Sequence, residues 1–587
     1  MTLSCYGLGV VATTRAVAIG PVFLLDQGPL TVVPCSVDPA AVPGELQRLE
    51  DALAAAQGAL RAVRNQIPQE IPQATPVKIA EFIDSHLLML EDAALADPAR
   101  ALIRERLFSA EWALEQHRMS LVQTFEDMGD PYLRSRRDDV DHVVRHVLGF
   151  LLGGRDVDPE AGADLCGCVV IAHDISPADT VMLLQRRVAA LVTEYGGPLS
   201  HTAILARSLN LPTIVGVRNV TGYFRQGETV VVDGEAGVVL ADVDAGILAH
   251  YRQRMQVLDE RRTCLRRLIK EPSLSADGTP VNLLGNLELP EDTVAVRTNG
   301  AAGVGLYRTE FLYMNRDLPP DEEEHLAAYL EVVHGLEGVP VTIRTLDLGA
   351  DKQVGGSSAT CPPVCNPALG LRAIRLCLKQ PELFRPQLRA ILRASAFGPV
   401  RLMIPMLSHV QELDAVLALI EQVGRELDRE GLAFDPCMPV GGMIEVPAAA
   451  LFAPVFARRL DFLSIGTNDL IQYTLAIDRM DDTVSYLRDP LHPAILRLIR
   501  MTVVAGRTCG IPVSMCGEMA GTPRYVPLLL GLGLREFSMQ PGSLLEVKER
   551  VRGSHIPHLE RATEALFTHL DAQEPEQFAQ AIERICS

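Results

Sequence analysis

The stretch Asp461-Phe462-Leu463-Ser464-Ile465-Gly466-Thr467-Asn468-Asp469-Leu470 reads as a short buried strand that breaks at a glycine and turns into a helix. Apolar runs of this length, bounded by turn residues and followed by helical sequence, mark parallel strand–helix units. The same pattern recurs on both sides of it. Strand candidates lie at 281–287, 303–308, 341–347, 400–407, 440–446, 461–467, 511–517 and 536–540. Eight such units over residues 273–587 predict a (β/α)8 TIM barrel.

In such a barrel the reactive side chains stand where the strands end. The second candidate strand ends in Tyr307-Arg308-Thr309-Glu310, and the third carries Arg344 and Asp347 and runs on to Asp351-Lys352. The fifth ends at Glu445 and the sixth at Asn468-Asp469, followed by Ile477-Asp478-Arg479. The seventh ends in Met515-Cys516-Gly517-Glu518. Arg308, Arg344 and Arg479, with Lys352 and Arg372, supply fixed positive charge. A guanidinium fork matches the oxygens of a phosphate or carboxylate. Glu445 and Asp469 offer two hard oxygen ligands, the kind Mg²⁺ takes alongside substrate oxygens. Asn468 can donate to a phosphoryl or carboxylate oxygen. Together they predict a small, highly anionic substrate handled with a metal, in the manner of phosphoryl transfer. Cys516 has two readings. It is a buried small hydrophobe, or a proton donor, since a thiol of pKa about 8.5 is mostly protonated at neutral pH.

The N-terminal half contains a second chemical signal, Gly196-Gly197-Pro198-Leu199-Ser200-His201-Thr202. An apolar run at 188–192 feeds the Gly-Gly turn, and Ser200 can cap the helix that follows. His201 then falls in the first helical turn, where outward N–H groups and the positive dipole end would stabilise a phosphate on the imidazole. Strand candidates near 9–12, 21–25, 169–172, 190–192, 213–215 and 229–232 surround it. They predict an α/β domain made of residues 1–35 and 155–242. An all-helical module, 36–154, interrupts that domain; its first helix carries the stripe Leu46, Leu49, Leu53, Ala56, Leu60 and Val63. A charged helical linker, 243–272, leads to the barrel. His142 and His146, spaced i, i+4, read as a packed or exposed helix face rather than a metal pair.

Composition narrows the function classes. The net charge of −20 argues against a nucleic-acid partner, which requires a basic surface, and suits a basic protein partner. Twelve cysteines form no paired CxxC knuckles, and reduced thiols are the expectation. No apolar run reaches membrane-spanning length. The N-terminal residues lack a basic region followed by a cleavable apolar core, so a cytoplasmic location is expected.

These motifs, taken in order along the chain, resemble Enzyme I of the bacterial phosphoenolpyruvate:sugar phosphotransferase system. The resemblance rests on the histidine segment 196–202, Arg308-Thr309-Glu310-Phe311-Leu312, the segment 461–470 and Met515-Cys516-Gly517-Glu518-Met519-Ala520-Gly521. It implies that phosphoenolpyruvate and Mg²⁺ bind in the barrel and that the phosphoryl group moves to Nε2 of His201. Cys516 would protonate the departing enolate to give pyruvate. Arg308 and Arg344 would hold phosphate, Asn468 and Arg479 would complete the pocket, and Glu445 with Asp469 would hold the metal. A histidine-containing phosphocarrier protein would dock on the helical module and receive the phosphoryl group, and the barrel would form a homodimer. Residues 353–365 depart from the family pattern, which has Leu-Pro and acidic residues there; Arg372 matches it. A pyruvate phosphate dikinase or phosphoenolpyruvate synthase shares the histidine and the barrel, but needs a separate nucleotide-binding domain for which the region before His201 is too short.

Overall fold

The computed structural model describes residues 5–8, 10–11, 17–25, 32–65, 74–127, 131–152, 165–173, 175, 183, 186–194, 211–217, 220–234, 236–313, 318–348, 368–478, 482–568 and 575–586. The chain divides into two compact units, Met1–Glu260 and Arg261–Ser587. Among the described residues no helix is long and apolar enough to cross a membrane.

The first unit holds a mixed sheet and a helical module. The strands are β1 (Cys5–Leu8), β2 (Val10–Val11), β3 (Val17–Leu25), β4 (Val169–Ala172), β5 (Ala190–Thr193), β6 (Thr213–Val215), β7 (Thr229–Asp233) and β8 (Val238–Leu240), in the order β1-β8-β7-β3-β4-β5-β6-β2. β3 to β6 run parallel, with Ile171 opposite Val192 and Val192 opposite Ile214. Strands β4, β5 and β6 are buried along their whole length, which is why they read as continuous apolar runs rather than alternating ones. Between β3 and β4 come five helices: α1 (Val42–Asn65), α2 (Ala74–Glu91), α3 (Ala93–Arg106), α4 (Ala110–Asp127) and α5 (Pro131–Leu151). The α1 stripe buries Leu49, Leu53, Ala56 and Leu60 against Ile83, Ile103, Leu114 and Val144. Each fully buried leucine there contributes roughly 1.5–3 kcal/mol relative to exposure. His146 packs edge-on against Phe150, with ring centroids 5.3 Å apart. The side chain of His142 lies outside the described residues.

The second unit is a closed parallel barrel. Its strands are β9 (Asn282–Leu287), β10 (Val304–Tyr307), β11 (Val341–Arg344), β12 (Val400–Ile404), β13 (Val440–Ile444), β14 (Phe462–Ile465), β15 (Val513–Met515) and β16 (Glu536–Met539). β16 closes on β9 with Glu536 opposite Asn282 and Met539 opposite Gly285. Alternation sorts the side chains. Leu402, Ile404, Ile444, Leu463 and Ile465 belong to the core shared with the helices. Their neighbours Met403, Met443 and Phe462 form a separate cluster with Leu306 and Cys516 inside the closed sheet. All eight expected strands are present. The expected third and fourth, 341–347 and 400–407, are shorter as strands and end at Arg344 and Ile404. Met406, just past the fourth, turns left-handed at φ 57° and sends its N–H to Glu445 instead of to a strand.

Candidate active site at the mouth of the barrel

Arg344 stands at the end of β11, almost fully buried. Its Nη2 donates to Glu310 Oε1 at 2.8 Å, and Nη1 pairs with Asp347 Oδ2 at 3.0 Å. Burial opposes its charge, but Glu310, Asp347 and Glu445 outweigh burial and raise its pKa further. Its Nε is buried and has no hydrogen-bond partner, so the guanidinium retains a donor. Asp347 also accepts from Arg372, at 2.8 Å from Nη2 and 3.2 Å from Nε. Arg372 reaches the Tyr473 hydroxyl at 3.3 Å, and that hydroxyl donates to Ala368 O at 2.6 Å. Burial works against Arg372 as well, and Asp347 again holds it charged. Arg308, after β10, is more exposed and pairs with Glu288.

Glu445, after β13, is 1% exposed. Its Oε1 accepts the Met406 N–H at 2.6 Å. Burial first, then the neighbouring carboxylates of Asp469 and Asp347, push it well above the usual carboxylate range, while Arg344 pulls the other way. A buried acid raised by a second acid is a pair that a cation would relieve. Gly466 leaves room beside it: a Cβ there would stand 2.9 Å from Glu445 Oε2. Among the described residues no group of three or more His, Cys, Asp or Glu is arranged around a metal position. Two carboxylates plus substrate oxygens are nevertheless a donor set that suits Mg²⁺.

Cys516 follows β15 and is 4% exposed. Burial raises its thiol pKa; the Ser464 hydroxyl, donating to Sγ at 3.3 Å, and the charges of Arg344 and Arg308 act downward. The net effect keeps a neutral thiol at the mouth. Gly517 is forced by contact, because a Cβ would fall 1.9 Å from Thr467 Oγ1. Asn468 exchanges hydrogen bonds with Glu518: its Oδ1 accepts the Glu518 N–H at 3.2 Å and its Nδ2 donates to Oε1 at 3.4 Å. Arg488 holds the other oxygen of Glu518 at 2.7 Å.

Of the residues expected from sequence, Arg308, Arg344, Glu445, Asn468, Asp469 and Cys516 lie at or just past the C-terminal ends of barrel strands, and Arg372 joins them through Asp347. His201, Lys352 and Arg479 lie outside the described residues. Sequence reasoning gave no role to Glu310 and Asp347, the acids that keep Arg344 and Arg372 charged, or to Ser464. Alternation along β14 could have found Ser464, since it places that residue inside with Cys516.

Three family models match: the N-terminal domain of phosphoenolpyruvate-utilising enzymes over residues 10–136, their mobile domain over 166–237 and their phosphoenolpyruvate-binding domain over 262–556. The chain is 45% identical to phosphoenolpyruvate-protein phosphotransferase of Cupriavidus necator, covering 99% of each chain. It is 39% identical to the protein of that name from Priestia megaterium, covering 97% of this chain and 98% of that one. The Geobacillus stearothermophilus protein of the same name is 40% identical over 92% of both. The chain belongs to the phosphoenolpyruvate-protein phosphotransferase family of phosphoenolpyruvate-utilising enzymes.

Proposed function

We propose that this chain takes the phosphoryl group of phosphoenolpyruvate onto its own His201, releases pyruvate and passes the group to a histidine-containing phosphocarrier protein, the first step of a sugar phosphotransferase relay. The observation that carries the reading is the convergence at the mouth. Arg344, Glu445 and Cys516 come at the ends of three different strands, yet they lie within electrostatic range of one another, and Arg344 keeps a buried donor unspent.

Arg308 and Arg344, with Arg479 and Lys352, bind the phosphate and carboxylate of the substrate, and Asn468 adds a neutral donor. Arg372 holds Asp347 and so steadies Arg344. Nε2 of His201 attacks phosphorus; the P–N bond forms as the bond from phosphorus to the enol oxygen breaks. The enolate takes the proton of Cys516 at its methylene carbon and becomes pyruvate, leaving a thiolate that solvent reprotonates. Ser464 and the two arginines favour that thiolate while it exists. Glu445 and Asp469 would hold Mg²⁺, which would neutralise phosphoryl charge. The imidazole has to meet the barrel mouth and then the carrier, so the histidine domain must swing about the helical linker.

The carrier reading is supported by apolar Leu88 and Met119, exposed on the helical module, and by the acidic net charge. A homodimer through the barrel is supported by exposed Leu451 and Met501, on helices that pack together, and by exposed Phe452 in the turn after the first of them. A cytoplasmic setting fits a phosphoenolpyruvate donor. In a single-turnover mixture with phosphoenolpyruvate and Mg²⁺, pyruvate should form in proportion to protein. His201→Ala should abolish labelling yet leave phosphoenolpyruvate binding intact. Full labelling of the variant would remove His201 as acceptor.

A further inference from the structure

Beneath the mouth lies a buried polar chain that the reaction above does not use. At its centre is Gln387, on the helix Pro381–Ala394. Its Oε1 accepts the Leu346 N–H at 2.9 Å, and its Nε2 donates to Thr309 Oγ1 and to the Tyr329 hydroxyl, both at 3.1 Å. Thr309 Oγ1 donates in turn to Arg344 O at 3.0 Å. Behind Tyr329, His325 Nδ1 lies 3.1 Å from its hydroxyl, and His325 Nε2 lies 3.1 Å from that of Tyr313. Thr309, His325, Tyr329 and Gln387 are each 0% exposed.

The position of this chain along the strands gives it meaning. The backbone ladder continues one residue beyond β10 and β11: Arg308 N–H donates to Leu287 O, and Thr345 N–H to Met403 O. The next residue on each strand, Thr309 and Leu346, is held by the one amide of Gln387. A carboxamide has an acceptor end and a donor end. Turning it over would set its NH₂ against the Leu346 N–H, so one orientation alone satisfies the site. The segments it joins carry Arg308 and Glu310 on one side and Arg344 and Asp347 on the other.

We propose that Gln387, acting with Thr309, is a positioning residue for phosphoryl transfer: it fixes the spacing between the Arg308–Glu310 and Arg344–Asp347 segments, so that both guanidinium groups are set before substrate arrives. The inference rests on the phosphoenolpyruvate reading of the mouth. Preset donors act without reorganising during the reaction, and a shift of about 1 Å in them can cost roughly a hundredfold in rate. A group that merely fills the core would lower stability and leave the partial reactions in proportion.

The test uses the full chain and two partial reactions, pyruvate formation from phosphoenolpyruvate and phosphoryl exchange between the phosphorylated carrier and the histidine. The second does not pass through the mouth. Thr309→Val keeps shape and removes the hydroxyl; Thr309→Ser keeps the hydroxyl; Gln387→Leu removes the amide. Thr309→Val and Gln387→Leu should lower kcat for pyruvate formation about tenfold or more, while exchange with the carrier stays within about twofold. Thr309→Ser should recover most of the lost rate. If Gln387→Leu does not fold, the Thr309 pair decides alone. A folded Thr309→Val with wild-type kcat overturns the proposal, as does an equal fall in both partial reactions. A wild-type chain that exchanges with the carrier but makes no pyruvate overturns the substrate reading itself, and this inference falls with it.

Discussion

The two ends of the barrel are built from the same eight strands and differ in how they treat charge. At the mouth, Arg344, Glu310, Asp347 and Arg372 share partners in a buried set. At the base, a cavity of about 90 Å³ is lined by Asn282, Thr342, Arg401 and Glu536 among apolar side chains. Its one ion pair, Arg401–Glu536, is 4.0 Å long, with the arginine side chain 31% exposed. A loose pair open to solvent contributes about 0–1 kcal/mol. Removing one partner of a buried pair costs about 3–5 kcal/mol, and a fold seldom gains net stability from such a pair over apolar packing. Charge at the base is loosely paired, whereas charge at the mouth is buried and shared among several partners.

Replacing the most enclosed charge should break the contrast furthest. Arg344→Met removes a donor aimed at developing charge and should lower kcat/KM for phosphoenolpyruvate by about a thousandfold or more. Circular dichroism would verify that the variant folds. Next comes Cys516→Ala, which should slow pyruvate formation by roughly a hundredfold through loss of the proton donor, with KM little changed.

A smaller effect concerns Glu445. Its folded pKa is raised, so above the unfolded carboxylate range the folded state binds more protons, and stability falls as pH rises toward the folded pKa. In metal-free buffer at pH 7, Glu445→Gln should therefore stabilise the barrel, by on the order of 1 kcal/mol in denaturant titration. Added Mg²⁺ should stabilise the wild type and not the variant. The smallest effect is expected at the base, where Arg401→Gln should change kcat by less than about twofold and stability by at most about 1 kcal/mol. A large activity loss there would erase the distinction between the two ends.

The barrel was legible because strands buried on both faces leave unbroken apolar runs, as in Val304–Tyr307. Their ends were over-read where apolar sequence continues after the strand ends, since nothing in the letters of Met406 announces a left-handed turn or a hydrogen bond to Glu445. β8 was not read as a strand, although β6, equally short, was. The charged residues of the candidate site could be nominated from sequence because a barrel concentrates function at strand ends. Their supports were not. Gln387 reaches Thr309 across 78 positions of chain, a distance local pattern does not span.

The central claim is that the barrel mouth charges one particular histidine. The most direct measurement is incubation with isotopically labelled phosphoenolpyruvate and Mg²⁺, followed by mass-spectrometric mapping under alkaline conditions that preserve phosphohistidine. The account predicts label on the His201 imidazole in the wild type and none in Arg344→Met. Label on another residue, or equal labelling of His201 without Arg344, would contradict it.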